Sequence, residues 1–217
     1  MDYSAARQAM VNSQIRPNDV TDHRLLQVFE TVPKETFLPA ALKPQAYVEK
    51  ELAYADGRYL LEARDLSKLL QAAEVGQSDL ILDAASGCGY STAILAGLGE
   101  MVVAVESDEA VAAASEKALT DLDIANAAVI TGDPVMGAEK QGPFDVIIIA
   151  ALIQTRPETL LGQLKDGGRL AAIMDDGGVA RGVVFHKSNG AISMTRHFAA
   201  AAIHVLPGFE KPKEFVF

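Results

Sequence analysis

Tryptophan is absent from this 217-residue chain, aromatic residues make up only 6% of it, and Cys88 is its one cysteine. A single thiol excludes an intrachain disulfide, so the fold has to be held by its apolar core. Long apolar runs are missing as well. The longest clean stretch, Val146 to Ile153, is far short of the roughly 18 residues a membrane span needs. The opening, MDYSAARQAMV, lacks the basic flank and apolar stretch of a secretory signal, so a cytoplasmic location is the default expectation. Basic residues are the scarcer charge, with 19 Lys and Arg against 29 Asp and Glu and a net charge of -10. No Lys/Arg-rich run is present, which argues against a nucleic-acid partner because such binding depends on neutralising phosphates. Neither a nucleic acid nor a membrane is therefore expected as partner. His23, His186, His197 and His204 are scattered without metal-ligand spacing, so no metal site is expected and each reads as a structural or surface histidine.

What is present is a chain with 49% apolar residues, long enough for one domain with a sizeable core. Ser4–Ile15 and Asp22–Val32 look like short helices closed by Pro17 and Pro33. The stretch from Pro39 to Leu61 is irregular, with Tyr47, Tyr54 and Tyr59 among charges, and reads as a loop-rich segment lying over something. Asp65–Ala73 is an amphipathic helix. From Leu80 onward, short apolar runs alternate with helical patterns: strands at Leu80–Ala84, Met101–Val105, Ala127–Ile130 and Val146–Ala150, helices at Tyr90–Leu98, Asp108–Leu122 and Pro157–Leu164. Asp108 is placed to cap its helix. Residues 164–174, LKDGGRLAAIM, read as a helix end, a glycine turn and one more buried strand. Continuous apolar strands joined by helices predict a parallel α/β sheet covered on both faces. Gly178–Lys187 and Ala191–Val205, joined at Ser188-Asn189-Gly190, predict a C-terminal antiparallel hairpin. The layout is a Rossmann-like, mostly parallel seven-stranded sheet, with residues 1–64 as a helical N-terminal extension and substrate loop and 65–217 as the main, cofactor-binding domain, one compact unit. The tail Lys211-Pro212-Lys213 with Phe215 and Phe217 is expected to pack back onto the sheet or stay loose. Asp175-Asp176-Gly177-Gly178 reads as a turn rather than a cation site.

Residues 81–93, ILDAASGCGYSTA, place a glycine loop between a predicted strand and a predicted helix. Gly87 and Gly89 permit close backbone approach, and the N–H groups that follow favour negative charge. A glycine loop alone is equally a plain strand–helix turn. Glu106, however, ends the next strand about twenty residues on, where an acid can bind both hydroxyls of a ribose. Asp133 follows the third strand at the same sheet edge. A dinucleotide loop calls for a third glycine, and Thr92 stands there. The acidic-x-Gly-x-Gly-x-Gly pattern of S-adenosylmethionine sites fits better, read as Asp83, Ala85, Gly87 and Gly89, with alanine replacing the first glycine. Ser86 and Ser107 border the same positions and complete the expected cofactor-binding set. Cys88, inside the loop, reads as a small filling residue rather than a nucleophile.

The glycine loop running into Gly89-Tyr90, residues 103–115 (VAVESDEAVAAAS), residues 143–170 (PFDVIIIAALIQTRPETLLGQLKDGGRL) and residues 10–39 (MVNSQIRPNDVTDHRLLQVFETVPKETFLP) together resemble the protein-L-isoaspartate O-methyltransferase family of class I S-adenosylmethionine-dependent methyltransferases. The resemblance covers nearly the whole chain. It implies a class I methyltransferase fold, S-adenosyl-L-methionine as cofactor, an isoaspartyl-containing protein or peptide as substrate and a role in protein repair, in a monomer or weak homodimer. One loop departs from the family. Where its members read Gly-x-x-Thr-Ile-Ser-x-Pro, with a hydroxyl that holds the substrate carboxylate, residues 57–64 read GRYLLEAR, so Leu61 stands at the serine. Asp166 replaces a proline, and Pro134 follows Gly132-Asp133 where a glycine is usual.

Methyl transfer to a carboxylate needs no general base, since the acid is ionised at neutral pH. Positioning and exclusion of water supply the catalysis. Without the family hydroxyl, the substrate carboxylate would be gripped by Arg58, Tyr59 or Arg64, with Arg58 and Tyr59 the expected catalytic pair. The alternatives are ordinary surface residues on a degenerate loop, a changed anionic substrate recognised by Arg58 and Arg64, or a non-catalytic scaffold, which the Ala85 and Leu61 changes together favour.

Overall fold

A computed structural model describes residues 1–212; Lys213, Phe215 and Phe217 of the tail considered above lie outside the described residues. Helix α1 (Tyr3–Met10) starts on Asp2, whose carboxylate accepts from the Ala5 amide at 3.0 Å, and runs on as a π turn over Val11–Ile15. Helix α2 (His23–Thr31) is capped by Asp22, which accepts from the amides of Arg24 and Leu25 at 2.8 and 3.2 Å. The irregular Pro39–Leu61 stretch holds an antiparallel hairpin that the sequence reading lacked, β1 (Leu52–Ala55) and β2 (Arg58–Leu60), turned at Asp56-Gly57. Asp-Gly is a strong hairpin-turn pair, but strands of four and three residues give too little alternation to register.

The main unit then runs α3 (Ala63–Ala73), β3 (Leu80–Asp83), α4 (Tyr90–Ala96), β4 (Met101–Glu106), α5 (Glu109–Asp121) and β5 (Ala127–Thr131). It continues with β6 (Phe144–Ile153), α6 (Glu158–Gly162), β7 (Leu164–Asp175), β8 (Ala180–Ser188) and β9 (Ala191–Ala199). As expected, Asp108 caps α5, accepting from Ala110 and Val111 at 2.9 and 3.0 Å. Helix α6 is shorter than the periodicity predicts because Leu164 already pairs with Phe144, and the Phe144 amide donates to Gln163 O at 2.9 Å. The last strand likewise stops at Ala199, where the Ala200 amide turns to Ala180 O at 2.8 Å.

Seven strands form one sheet in the order β5-β4-β3-β6-β7-β8-β9, parallel as far as β7 and antiparallel thereafter. The continuous apolar runs have their reason here. Alternate residues of β6 belong to opposite cores: Val146 and Ile148 pack with Phe29, Leu69 and Ile94, whereas Ile147 and Ile149 pack with Leu160, Leu164 and Phe209. A strand buried on both faces has no place for a polar side chain. The first core also contains Met10, Val11, Ile15 and Leu25, so the N-terminal helices share it with α3 and α4. Arg169 of β7 fastens the end of α3 by donating to the carbonyls of Ala73 (2.7 Å) and Glu74 (2.6 Å) and to Asp79 (2.6 Å). The chain steps outward from β3 through β4 to β5, then returns to β6 on the other side of β3. That reversal opens a crevice at the carboxyl ends of the strands, where ligands bind in open α/β sheets.

Candidate functional site

Glu106, the last residue of β4, is only 1% exposed. Burying a carboxylate demands partners, and the Asp108 amide donates one hydrogen bond at 2.8 Å. Ser107 Oγ adds a longer one at 3.4 Å, and the remainder come from the β1–β2 hairpin. Arg58 Nε donates to both carboxylate oxygens at 3.1 and 3.2 Å, and Nη2 donates to Oε1 at 2.8 Å and to Ser107 Oγ at 2.6 Å. This forked, charge-assisted grip is the strongest arrangement available to an arginine and a carboxylate.

The same hairpin lays Tyr54 on the glycine loop. Its hydroxyl accepts from the Cys88 amide at 3.2 Å, and a methyl group on Gly87 would overlap it. Gly87 therefore needs hydrogen at Cα for this contact as well as for its φ of +53°. Gly89, at φ +90°, is demanded from the other side, since a methyl there would overlap Ser115 Oγ of α5. Burial pushes the Tyr54 phenol well above its ordinary pKa, so it stays neutral. Burial likewise pushes the Cys88 thiol up to about 11, against hydrogen bonding from the Tyr90 amide and the nearby Lys34 charge. A thiol near a helix start can ionise easily, but desolvation wins at this one.

Tyr59 faces the C-terminal segment, stacked on His204 with centroids 3.6 Å apart and planes 5° from parallel. His204 Nδ1 lies 2.7 Å from Glu51 Oε2, and Val205 bridges to Leu152. Ala85, Leu61, Pro134, Ala150 and Ala151 complete the walls. Ala150 and Ala151 sit where the β6–β7 register shifts, a bulge of the kind found beside binding sites. With Tyr54, Arg58 and Tyr59 in place the crevice keeps a cavity of about 20 Å³, roughly the room one water needs.

The expected site residues divide by where their side chains go. Ala85, Glu106, Arg58 and Tyr59 line the crevice, Gly87 lies against the Tyr54 hydroxyl, and Ser107 accepts from Arg58 beside Glu106. Asp83 lies beneath the loop. Its Oδ2 accepts from Ser91 (2.7 Å) and Thr92 (2.8 Å), fixing the start of α4, while Oδ1 has no partner among the described residues. Burial raises its pKa to about 6, although the two hydroxyls pull it down. Ser86 ties the loop to β4, its amide and hydroxyl both donating to Val105 O at 3.0 and 3.2 Å. Asp133 stands at the same sheet edge, but its carboxylate accepts from the Val135 amide at 2.9 Å and caps its own turn. Arg64 turns away from the crevice to Asp65 (3.0 Å) and the Ala199 carbonyl (2.9 Å). Glu51, Tyr54 and His204 were not singled out for the site from sequence. His204 and Tyr59 are far apart in the chain, and no local pattern signals that they stack.

The arrangement suits an adenosine-type ligand: a buried acid to accept from ribose hydroxyls beside a glycine loop. The space for one is filled by the hairpin's own side chains.

Comparison with known proteins bears on the same region. Residues 5–206 match the family described as protein-L-isoaspartate(D-aspartate) O-methyltransferase. The chain is 31% identical over 194 residues to a protein-L-isoaspartate O-methyltransferase of Koribacter versatilis, covering 89% of this chain and 87% of that protein. It is 34% identical over 176 residues to one of Trichlorobacter lovleyi, covering 81% of each. Among solved structures, a protein-L-isoaspartate O-methyltransferase superposes with a TM-score of 0.80 at 20% identity, covering 94% of this chain and 67% of that one. A Plasmodium falciparum protein in complex with S-adenosyl-L-homocysteine superposes with a TM-score of 0.76 at 17% identity, covering 95% and 98%. At those identities the superpositions speak to the fold.

Proposed function

The chain belongs to the protein-L-isoaspartate(D-aspartate) O-methyltransferase family, and from that membership we propose that it transfers a methyl group from S-adenosyl-L-methionine to the carboxylate of L-isoaspartyl residues in proteins. The observation that carries this reading is Glu106, a buried acid at the carboxyl end of β4, next to the Gly87–Gly89 loop at the switch point of the sheet. When bound, S-adenosylmethionine supplies a sulfonium methyl that an ionised carboxylate takes by in-line displacement, leaving a neutral thioether. Glu106 would accept from the ribose hydroxyls, and the backbone at Gly87 would give close approach. Ala85, Leu61 and the Ala150-Ala151 bulge supply an apolar wall that excludes water, which strengthens charge interactions inside. No side chain has to move a proton, because the attacking carboxylate is already ionised at pH 7.

Arg58 and Tyr59 are the residues we assign to the substrate carboxylate, since both line the crevice beside Leu61, which has no hydroxyl to offer. Arg64 is engaged elsewhere. Residues 1–64 act in this reading as the cover and substrate loop of the unit formed by 65–217. The protein works on polypeptide rather than nucleic acid or membrane, in the cytoplasm, as a monomer or weak homodimer. Among the described residues no helix is long and apolar enough to cross a membrane.

The test is methyl transfer from labelled S-adenosylmethionine to an isoaspartyl peptide against its aspartyl counterpart. Selective labelling of the isoaspartyl form is expected, with KM for the peptide raised by alanine at Arg58 or Tyr59. Turnover unaffected by both substitutions would remove these two from the site. No labelling above background would refute repair activity. A changed substrate or a non-catalytic role is the second reading, favoured by apolar Leu61 at the family's serine and by the commitment of Arg58 to Glu106.

A further inference from the structure

The β1–β2 hairpin is fixed to the crevice at several independent points. Arg58 forks onto Glu106 and reaches Ser107, and the pair is well shielded, with the two side chains 13% and 1% exposed. Tyr54 takes the Cys88 amide, Tyr59 stacks on His204, and the turn glycine Gly57 packs against Pro207. If Glu106 is the ribose ligand, as proposed above, Arg58 occupies the oxygens that the ribose hydroxyls would use. Tyr54 likewise lies on the part of the glycine loop that a ligand would approach. Two neutral hydroxyl donors are weaker partners for a carboxylate than a forked guanidinium. A ligand therefore has to meet a state of the protein in which the clasp is already open, or open it.

We propose that Arg58 is a latch: it holds the β1–β2 hairpin over the cofactor crevice and competes with the cofactor's ribose for Glu106. Cofactor binding is then linked to release of the hairpin. The apparent dissociation constant is the intrinsic one divided by the fraction of molecules with the clasp open. From the sequence, Arg58 reads as a grip on the substrate carboxylate or as an ordinary surface residue. The latch gives it a role before substrate arrives, and release from Glu106 is also what would free the guanidinium for the substrate carboxylate.

The test is calorimetric titration of S-adenosyl-L-homocysteine into the full chain and into Arg58→Met, Arg58→Lys and Glu106→Gln. Methionine keeps the stem that packs in the crevice and removes the fork. Lysine keeps a charge but loses the second hydrogen bond. Affinity should rise in the order wild type, Arg58→Lys, Arg58→Met, by about tenfold or more overall if a tenth or less of the wild type is open. Glu106→Gln should bind more weakly than wild type. Arg58→Met binding equally or more weakly, with Glu106→Gln still impaired, would overturn the latch and leave the cofactor assignment standing. Absence of binding by every form, Arg58→Met included, would overturn both.

Discussion

Replacing Lys34 with methionine should make the protein more stable at neutral pH, although it removes a charge. Lys34 sits on the short 3₁₀ turn Lys34–Phe37 and is 1% exposed. Its Nζ lies 5.6 Å from the Tyr90 ring centroid and has no hydrogen-bond partner among the described residues. Desolvation lowers its pKa from 10.5 to about 8, opposed by the nearby Cys88 and Glu62. At about 1.4 kcal/mol per pH unit, that gap means holding the proton in the folded state costs about 3 kcal/mol at pH 7. Methionine avoids the cost and nearly fills the space. It forgoes a cation–π contact of about 1 kcal/mol and leaves a small void where Nζ was, so the net gain should be about 1–2 kcal/mol. Urea unfolding should show the midpoint rising by about 0.5 M at pH 7. The pH dependence has a definite sign. Because the folded-state pKa is depressed, the wild type has its full stability from this group above about 10.5 and loses it as pH falls towards 8. The advantage of the variant is therefore greatest at pH 7 and should fall to about zero or below by about pH 9.5, as the linkage cost drops by about 2 kcal/mol. A variant less stable than wild type at pH 7, or a gain independent of pH, would refute the reasoning.

Asp83 should show the opposite slope. Its folded-state pKa is raised to about 6, mainly by burial, so its contribution is complete below its ordinary value near 3.8 and is lost as pH rises through 6. Between pH 4 and 7, Asp83→Asn should gain on wild type by about 2.4 kcal/mol, whatever the constant offset from placing an amide beside Ser91 and Thr92. Parallel stability–pH curves would show that the carboxyl is not desolvated. Gly89→Ala places a side chain at φ +90° and against Ser115 Oγ, and should lower stability by about 2 kcal/mol or more in thermal or urea unfolding. An unchanged midpoint would mean that the loop is not locked onto α5.

The sheet was legible because its central strands, β3, β4 and β6, are buried on both faces. Runs such as Val146–Ile149 have no polar position, and α5 announces its start with the Asp108 cap. The hairpin of residues 52–60 was not legible, because its strands are short and it is held by contacts to Cys88, Glu106 and Pro207, none of them local. Within the site, Glu106 could be found from spacing alone. The turning of Asp133 to its own loop, and of Arg64 to Asp65, could not, since a carboxylate or guanidinium at a sheet edge has several partners within reach.

By itself the sequence determined the class of fold and the position of the glycine loop and acid, because these rest on periodicity and on residue types at fixed separations along the chain; the family rested on the resemblance of whole segments such as residues 10–39 and 143–170. Only the tertiary structure decided what those residues do to one another. Arg58 and Glu106 are 48 residues apart, and Tyr59 and His204 meet through segments from opposite ends of the chain. Charge and stacking choose their partners in space. Only the folded arrangement brings the arginine read as a substrate clamp onto the acid read as a cofactor ligand.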